Sequence, residues 1–288
     1  MRLATVRIDG GTTAVRLEDQ AAVRLPAVDV GAVLDRPDWR DWAASTDGER
    51  LPIDGLDYAP LILRPGKIIC VGLNYRTHIL ESGQEIPEVP MFFAKYPEAL
   101  VGANDDILLP PESTRVDWEA ELAIVIGAAG RRIPAADAYS HIAGYAVMND
   151  ISMRDWQLRS SQWTPGKTFE ASAPFGPWLL TDSEQERGGR TLTCEVAGER
   201  MQTADTADLV FGPADLVEFV STVMTLRPGD VIASGTPGGV GGARNPKRYL
   251  RAGETVVTAI DGLGECRNVC VAEQVPGSPL VNAVPAAG

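Results

Sequence analysis

Residues 116–127 read VDWEAELAIVIG, with Glu119 and Glu121 two positions apart at the head of an apolar, β-branched run. Side chains of a strand alternate faces, so these two acids point the same way and Asp117 joins them. Leu122 to Ile126 then read as a strand buried on both faces, which places the acids where that strand enters the core. Like charges crowded against a low-dielectric interior are costly unless a cation or hydrogen-bond donors neutralise them. An edge strand with a solvated acidic face accounts for the same stretch, so other segments must decide.

A second segment, HIAGYAVMNDISMRDWQ, ends a strand at Asn149-Asp150 and continues with Arg154, Asp155 and Gln157. Strand-to-loop junctions are where scaffolds place functional groups, although a single Asp there also serves as a turn former or helix cap. Added to Glu119 and Glu121, Asp150 completes an all-oxygen set of the kind that suits a hard ion such as Mg²⁺ or Mn²⁺. In GLNYRTHILESG, Asn74 is placed to cap a short helix that sets His78 and Glu81 three residues apart on one face, with Gly83 ending it. A carboxylate beside an imidazole orients it and raises its basicity, which makes His78 the better general base of the two histidines; a surface ion pair explains the spacing too. His141, in the lead-in PAADAYSHIAG, reads as packed or solvated. Lys167 lies in the Gly/Pro-flanked loop TPGKTFEASAPFGPW, and Thr236 in the glycine-rich turn SGTPGGVG. Neither loop has the GxxxxGK[ST] phosphate pattern, so a nucleotide site is not indicated.

The elements that must hold these residues are mostly strands. Residues 1–65 alternate apolar and polar around an Asp9-Gly10-Gly11 turn and then become loop-rich, a small N-terminal β domain. Residues 66–288 form the larger unit, with Val/Ile-rich strands at KIICVGLN, ELAIVIG, HIAGYAVMND, EVAGERMQ, DVIASGTP, ETVVTAID and CRNVCVAEQ. One amphipathic helix is expected in GPADLVEFVSTVMTLRPGD, with Pro213 in its first turn and Leu216, Val220, Val223 and Met224 on its apolar stripe. No regular βαβ alternation occurs, so the fold class is α+β and β-rich.

Composition narrows the ligands. A net charge of −13, with no long basic run, argues against nucleic acid or an anionic membrane surface and leaves small molecules. No apolar window reaches the roughly 18 residues of a membrane helix, and the N-terminus lacks a signal-peptide core, so the expected location is the cytoplasm. The four cysteines are too sparse for a disulfide framework and too scattered for a zinc ribbon.

In their order and spacing, GLNYRTHILESG, FFAKYPEALVGANDDILLP, VDWEAELAIVIG, AGYAVMNDISMRDWQ, GKTFEASAPFGPW and LRPGDVIASGTPGGVG resemble the fumarylacetoacetate hydrolase family across roughly residues 67 to 275. The resemblance implies a mixed β-roll catalytic domain, a Mg²⁺ or Mn²⁺ site and a homodimer. It implies that Glu119, Glu121 and Asp150 ligate the metal, with Asp117 behind them. It further implies that His78 and Glu81 form a water-activating pair on a lid, that Lys167 is the active-site lysine, and that Arg154, Gln157 and Thr236 line the substrate site. Glu170 departs from the family pattern, which often has Asp there, and the lid tail QEIPEVP carries no substrate signature.

The implied substrate is a 2-oxo acid, and the expected reaction is hydrolysis of the carbon–carbon bond of a 2,4-dioxo acid such as an acylpyruvate or fumarylpyruvate. Such a cleavage expels an enolate, whose charge a divalent ion stabilises as a Lewis acid. Isomerisation or decarboxylation of a 2-oxo diacid (hydroxymuconate or oxaloacetate type) uses the same enolate without water attack. A catalytically silent metal-binding or ligand-binding member is a third reading, against which His78, Glu81 and Lys167 together count.

Overall fold

The structure, a computed structural model, describes residues 1–81, 83, 85–181 and 188–274. In chain order its strands are β1 (Arg2–Ile8), β2 (Gly11–Leu17), β3 (Ala21–Arg24), β4 (Arg50–Pro52), β5 (Ile68–Gly72), β6 (Met91–Lys95), β7 (Leu100–Val101), β8 (Ile107–Leu109) and β9 (Val116–Asp117). They continue as β10 (Ala120–Ile126), β11 (Ile142–Asn149), β12 (Ser152–Met153), β13 (Ala173–Thr181), β14 (Thr191–Val196), β15 (Glu199–Asp205), β16 (Val231–Ala233), β17 (Thr255–Ile260) and β18 (Gly264–Ala272). The helices are short: α1 (Val30–Leu34), α2 (Trp39–Ser45), α3 (Arg76–Glu81), α4 (Ala138–His141), α5 (Arg154–Gln157), α6 (Thr164–Lys167) and α7 (Pro213–Val223).

A large mixed sheet runs in the order β4-β3-β2-β1-β13-β11-β10-β16-β5-β6, with β7 added beside β13, and a second sheet runs β15-β14-β17-β18-β8. Most neighbours are antiparallel, while β16 pairs with β5 in parallel. This is the β-rich α+β architecture that the strand spacing indicates. The first hairpin closes where the sequence marks it, with Asp9 and Gly10 both at positive φ, as a two-residue turn between right-twisted strands requires.

The continuous apolar reading of β10 has a direct cause. All seven of its residues are buried, and alternate positions feed different cores. Leu122, Ile124 and Ile126 face a cluster shared with the second sheet and α7, through Leu192, Val256, Cys266, Leu216 and Val220. Ala123 and Val125 face the opposite cluster, shared with Leu3, Leu25 and helices α1 and α2. The four cysteines are free and buried.

Three local expectations are corrected. APFGPWLLT is β13, a central strand between β1 and β11, although its glycine and prolines read as loop. A register shift in the β11–β13 pairing lets the strand carry Gly176-Pro177 there. Lys167 accordingly closes the one-turn helix α6 instead of lying in an open loop. On α7 the buried face is Leu216, Val217, Val220 and Ser221, while Val223, in the last turn, is exposed.

Candidate metal centre and its cavity

The central strands run out together at one end of the large sheet: β10 begins there, β11 ends, and β16 and β5 finish nearby. The register pairs Ala120 with Asn149 and Glu121 with Met148, so one step beyond the strand ends Glu119 meets Asp150. That contact is made, with the Asp150 amide donating to the Glu119 carbonyl at 2.8 Å. Carboxylate oxygens of Glu119, Glu121 and Asp150 all lie within 4.8 Å of one another, and all three residues are buried. The parity seen in the sequence is therefore kept in space, although the run breaks at Trp118-Glu119 between β9 and β10.

Each acid is held differently. Glu119 Oε2 accepts from the Lys167 Nζ at 2.6 Å and its Oε1 pairs with Arg154 Nη1 at 2.6 Å. Asp150 lies between two ammonium groups, with Lys167 Nζ 2.9 Å from Oδ2 and Lys95 Nζ 3.0 Å from Oδ1. Burial works against ionisation of Asp150, but those two lysines outweigh it and hold the carboxyl below its ordinary range. Glu121 has no cationic partner among the described residues and accepts only from the Gly235 amide, at 2.8 Å. Burial first, then the Asp150 and Glu119 charges, push its carboxyl well above the usual glutamate range. For Lys167, burial is opposed by Asp150 and Glu119, and the balance raises the ammonium, so the group stays charged.

Asp117 is spoken for by hydrogen bonds. Its Oδ1 accepts from the Trp118 and Gly241 amides at 2.9 and 2.6 Å, and its Oδ2 from the Gly242 amide and Arg154 Nε, both at 2.8 Å. It thus ties the glycine turn to the strand that bears Glu119 and is not free to ligate. Gly241 is needed for this contact, since a Cβ there would lie 1.8 Å from the Arg248 carbonyl oxygen.

The donor set fits a hard divalent cation. Four buried acids (Asp117, Glu119, Glu121 and Asp150) face three cations (Lys95, Arg154 and Lys167), and the one left without a cation is Glu121, whose ionisation burial and its acidic neighbours oppose until a cation arrives. An all-oxygen site of this charge suits Mg²⁺ or Mn²⁺. Adding two positive charges would turn the centre positive overall, ready for an anion.

A cavity of roughly 430 Å³ opens beside these acids, and His78, Glu119, Arg154, Gln157, Lys167 and Thr236 all line it. Arg154 Nη1 donates to Gln157 Oε1 at 2.9 Å, which fixes both heads on the wall. Thr236 donates to the Ala120 carbonyl at 2.9 Å and accepts from Gln202 Nε2 at 2.8 Å, so its side chain is locked by packing of the two sheets. His78 is half-buried on α3. The Glu81 side chain lies outside the described residues, and so does any pairing with His78. Glu170 is exposed, and Lys167 takes its position from Glu119 and Asp150.

Asn74 does not cap α3. Its amide is buried and bridges two other elements, donating to the Phe211 and Ser234 carbonyls and accepting from the Phe211 amide. The helix start is served by Asp208, whose carboxylate accepts from the Thr77 amide at 3.0 Å. Three further residues escaped sequence reasoning. Lys95 reaches Asp150 and also donates to the Lys167 carbonyl. Gln202 accepts from the Ala120 amide at 3.0 Å, and Asn149 accepts from the Glu119 amide at 2.9 Å while donating to Thr258. A lysine in the apolar strand FFAK was the available signal for Lys95, because a buried ammonium needs a carboxylate.

Residues 67–271 match the family described as fumarylacetoacetate (FAA) hydrolase, C-terminal. The chain belongs to the fumarylacetoacetate hydrolase family. It is 43% identical over 232 residues, 80% of this chain and 74% of the relative, to the mitochondrial oxaloacetate tautomerase FAHD2B of Bos taurus. It is similar to the crystal structure of 5-carboxymethyl-2-hydroxymuconate delta-isomerase from Mycobacterium smegmatis, with TM-score 0.81 and 33% identity over 95% of this chain and 100% of that one. It is also similar to fumarylpyruvate hydrolase from Pseudomonas aeruginosa in complex with Mn²⁺ and pyruvate, with TM-score 0.65 and 33% identity over 76% of this chain and 93% of that one. Tautomerase, isomerase and hydrolase activities thus occur among its relatives. No helix among the described residues is long and apolar enough to cross a membrane.

Proposed function

We propose that this family member is a Mg²⁺- or Mn²⁺-dependent enzyme that interconverts the keto and enol forms of a 2-oxo acid. The observation that carries this reading is the buried trio Glu119, Glu121 and Asp150, in which Glu121 has no cationic partner among the described residues, beside a cavity whose charged groups other than Glu119 are Arg115, Arg154, Lys167 and Lys247. A cation held by Glu119, Glu121 and Asp150 would polarise the 2-oxo group and stabilise the charge that develops on its oxygen. Arg154 and Lys167 present fixed positive groups to the substrate's anionic end. His78 removes the proton from C3, and the same proton or one from water returns to the 2-oxo oxygen, so the change is a net proton shift. The Lys167 ammonium donates to the enolate oxygen while the charge is there. The likeness to an oxaloacetate tautomerase at 43% identity supports this choice of reaction.

Carbon–carbon hydrolysis of an acylpyruvate is the second reading. It uses the same wall, with His78, backed by Glu81, deprotonating water for attack on the distal carbonyl and pyruvate enolate leaving. The likeness to a fumarylpyruvate hydrolase favours it. The two separate cleanly in one assay. Oxaloacetate enol is followed by ultraviolet absorbance with Mn²⁺ and with a chelator, while acylpyruvates are scored for pyruvate release. Metal-dependent enol decay without pyruvate release from acylpyruvates supports the tautomerase, the reverse pattern supports the hydrolase, and no metal-dependent turnover of either defeats both.

His78→Ala is expected to lower kcat by about 10²- to 10⁴-fold, the usual contribution of a general base, without changing Mn²⁺ affinity measured by calorimetry. Full activity in that variant would take the imidazole out of the scheme. The homodimer expected from the family likeness and the cytoplasmic location expected from the sequence belong to the same proposal, and light scattering of the purified chain checks the dimer.

A further inference from the structure

Two cations on the cavity wall take no part in the inner centre. Arg115 immediately precedes β9, and Lys247 lies in the segment that returns beside it, where the Leu250 amide donates to the Val116 carbonyl at 2.8 Å. Both side chains line the same cavity as Glu119, Arg154 and Lys167. Arg154 and Lys167 are committed to Asp117, Glu119 and Asp150. Arg115 and Lys247 have no carboxylate within ion-pair distance among the described residues.

Such a placement calls for a reason in a chain with 39 acidic and 26 basic residues, where an unpaired cation has many acids to choose from. Two like charges on one cavity wall repel each other, and a bound anion relieves that repulsion. Position adds direction. Residues 115, 117, 119 and 121 have the same parity, and burial falls from Glu121 and Glu119 inside to Arg115 at the exposed mouth. At most about 13 Å of backbone separates Arg115 from Glu119, at roughly 3.3 Å per residue, a gap that a long basic side chain and a short diacid close between them.

We propose that Arg115 and Lys247 form an outer anion subsite that takes the distal carboxylate of a 2-oxo dicarboxylic acid whose 2-oxo end lies at Glu119, Glu121 and Asp150. The proposal rests on the reading of the inner site given above and narrows its substrate class to short diacids. Leu158 and Trp163, on the same wall, would instead suit an apolar tail, so the two chemistries compete in the test.

The test is calorimetry on Mn²⁺-loaded protein with 2-oxoglutarate, pyruvate and phenylpyruvate, in the parent and in Arg115→Gln, Lys247→Gln and the double variant. The subsite requires the parent to prefer 2-oxoglutarate to pyruvate. Each single variant should lose about 10-fold in affinity for the diacid, as expected for one charge-assisted contact. Pyruvate affinity should stay where it was, and Arg115→Lys should recover part of the loss. A diacid-to-pyruvate ratio that is the same in parent and double variant overturns the subsite, as does a parent that prefers phenylpyruvate to 2-oxoglutarate. Turnover of 2-oxo acids is scored separately. If the diacid preference is present and lost on mutation while no 2-oxo acid turns over, the subsite stands and the reaction assignment falls. If turnover is present but the ratio does not move, the subsite alone falls.

Discussion

Glu121→Gln is expected to abolish tight Mn²⁺ binding while leaving the metal-free protein at least as stable as the parent. The amide keeps an oxygen for the Gly235 amide and nearly the same volume, so packing and that 2.8 Å bond survive. What disappears is a buried carboxyl whose ionisation no cationic partner supports among the described residues. Since burial and neighbouring carboxylates raise the folded-state pKa of Glu121 above its unfolded value, its contribution to stability is complete below the unfolded pKa. That contribution is lost as pH rises through the higher folded value. The metal-free parent should therefore weaken over that pH interval, and the glutamine variant should not. Metal affinity moves the other way with pH, because the cation competes with the Glu121 proton. In the parent, affinity should climb over the same interval with proton release. In the variant it should be lower by more than the roughly 10- to 100-fold that outer-shell partners cost. Calorimetry in two buffers of different ionisation enthalpy, with thermal melts across pH, measures all of this. A variant that binds Mn²⁺ like the parent would remove Glu121 from the ligand set.

Lys167→Met should have the opposite effect on the metal-free protein. The ammonium is buried against Glu119 and Asp150, at 2.6 and 2.9 Å, and deleting it strands both carboxylates in the interior. Breaking a buried pair from one side costs about 3–5 kcal/mol. Lys95 and Arg154 still hold one oxygen each, which keeps the loss toward the lower end. Mn²⁺ returns positive charge to the same oxygens, so the ion should stabilise this variant more than it stabilises the parent. Turnover should nevertheless fall by roughly 10²- to 10³-fold with metal saturating, the usual effect of losing one donor to a developing oxyanion. Melting curves with and without Mn²⁺, run beside the turnover assay, decide it. Equal metal-induced shifts in parent and variant would mean that Lys167 does not compensate charge in the centre.

The acids were legible from sequence because strand parity is a local rule. The two-residue spacing of Glu119 and Glu121 survives the break in the strand, and the β10–β11 register brings Asp150 to them. The family motifs reached His78, Arg154, Gln157, Lys167 and Thr236, which share one cavity. What local rules could not show was who neutralises whom. Lys95 lies 55 residues from its partner Asp150, and Gln202 lies 82 residues from Ala120, whose amide it accepts from. The pairings follow only once the two sheets have packed. Asn74 shows the converse error, since a good capping residue was drawn away by three backbone groups, the amide and carbonyl of Phe211 and the carbonyl of Ser234, to which its buried amide is bonded. Gly176 and Pro177 likewise hid β13, whose strand character comes from its neighbours β1 and β11.

The cavity is built from two kinds of backbone. Its acidic floor hangs on the ends of long, fully buried strands. Its rim, with His78, Leu158, Trp163, Lys247 and Tyr249, is carried by short helices and irregular segments. The groups proposed to hold a cation thus stay on a fixed floor, while those that would meet the substrate, the proposed base His78 among them, sit on backbone that can be exchanged piece by piece, as befits a lineage whose members isomerise, tautomerise and hydrolyse.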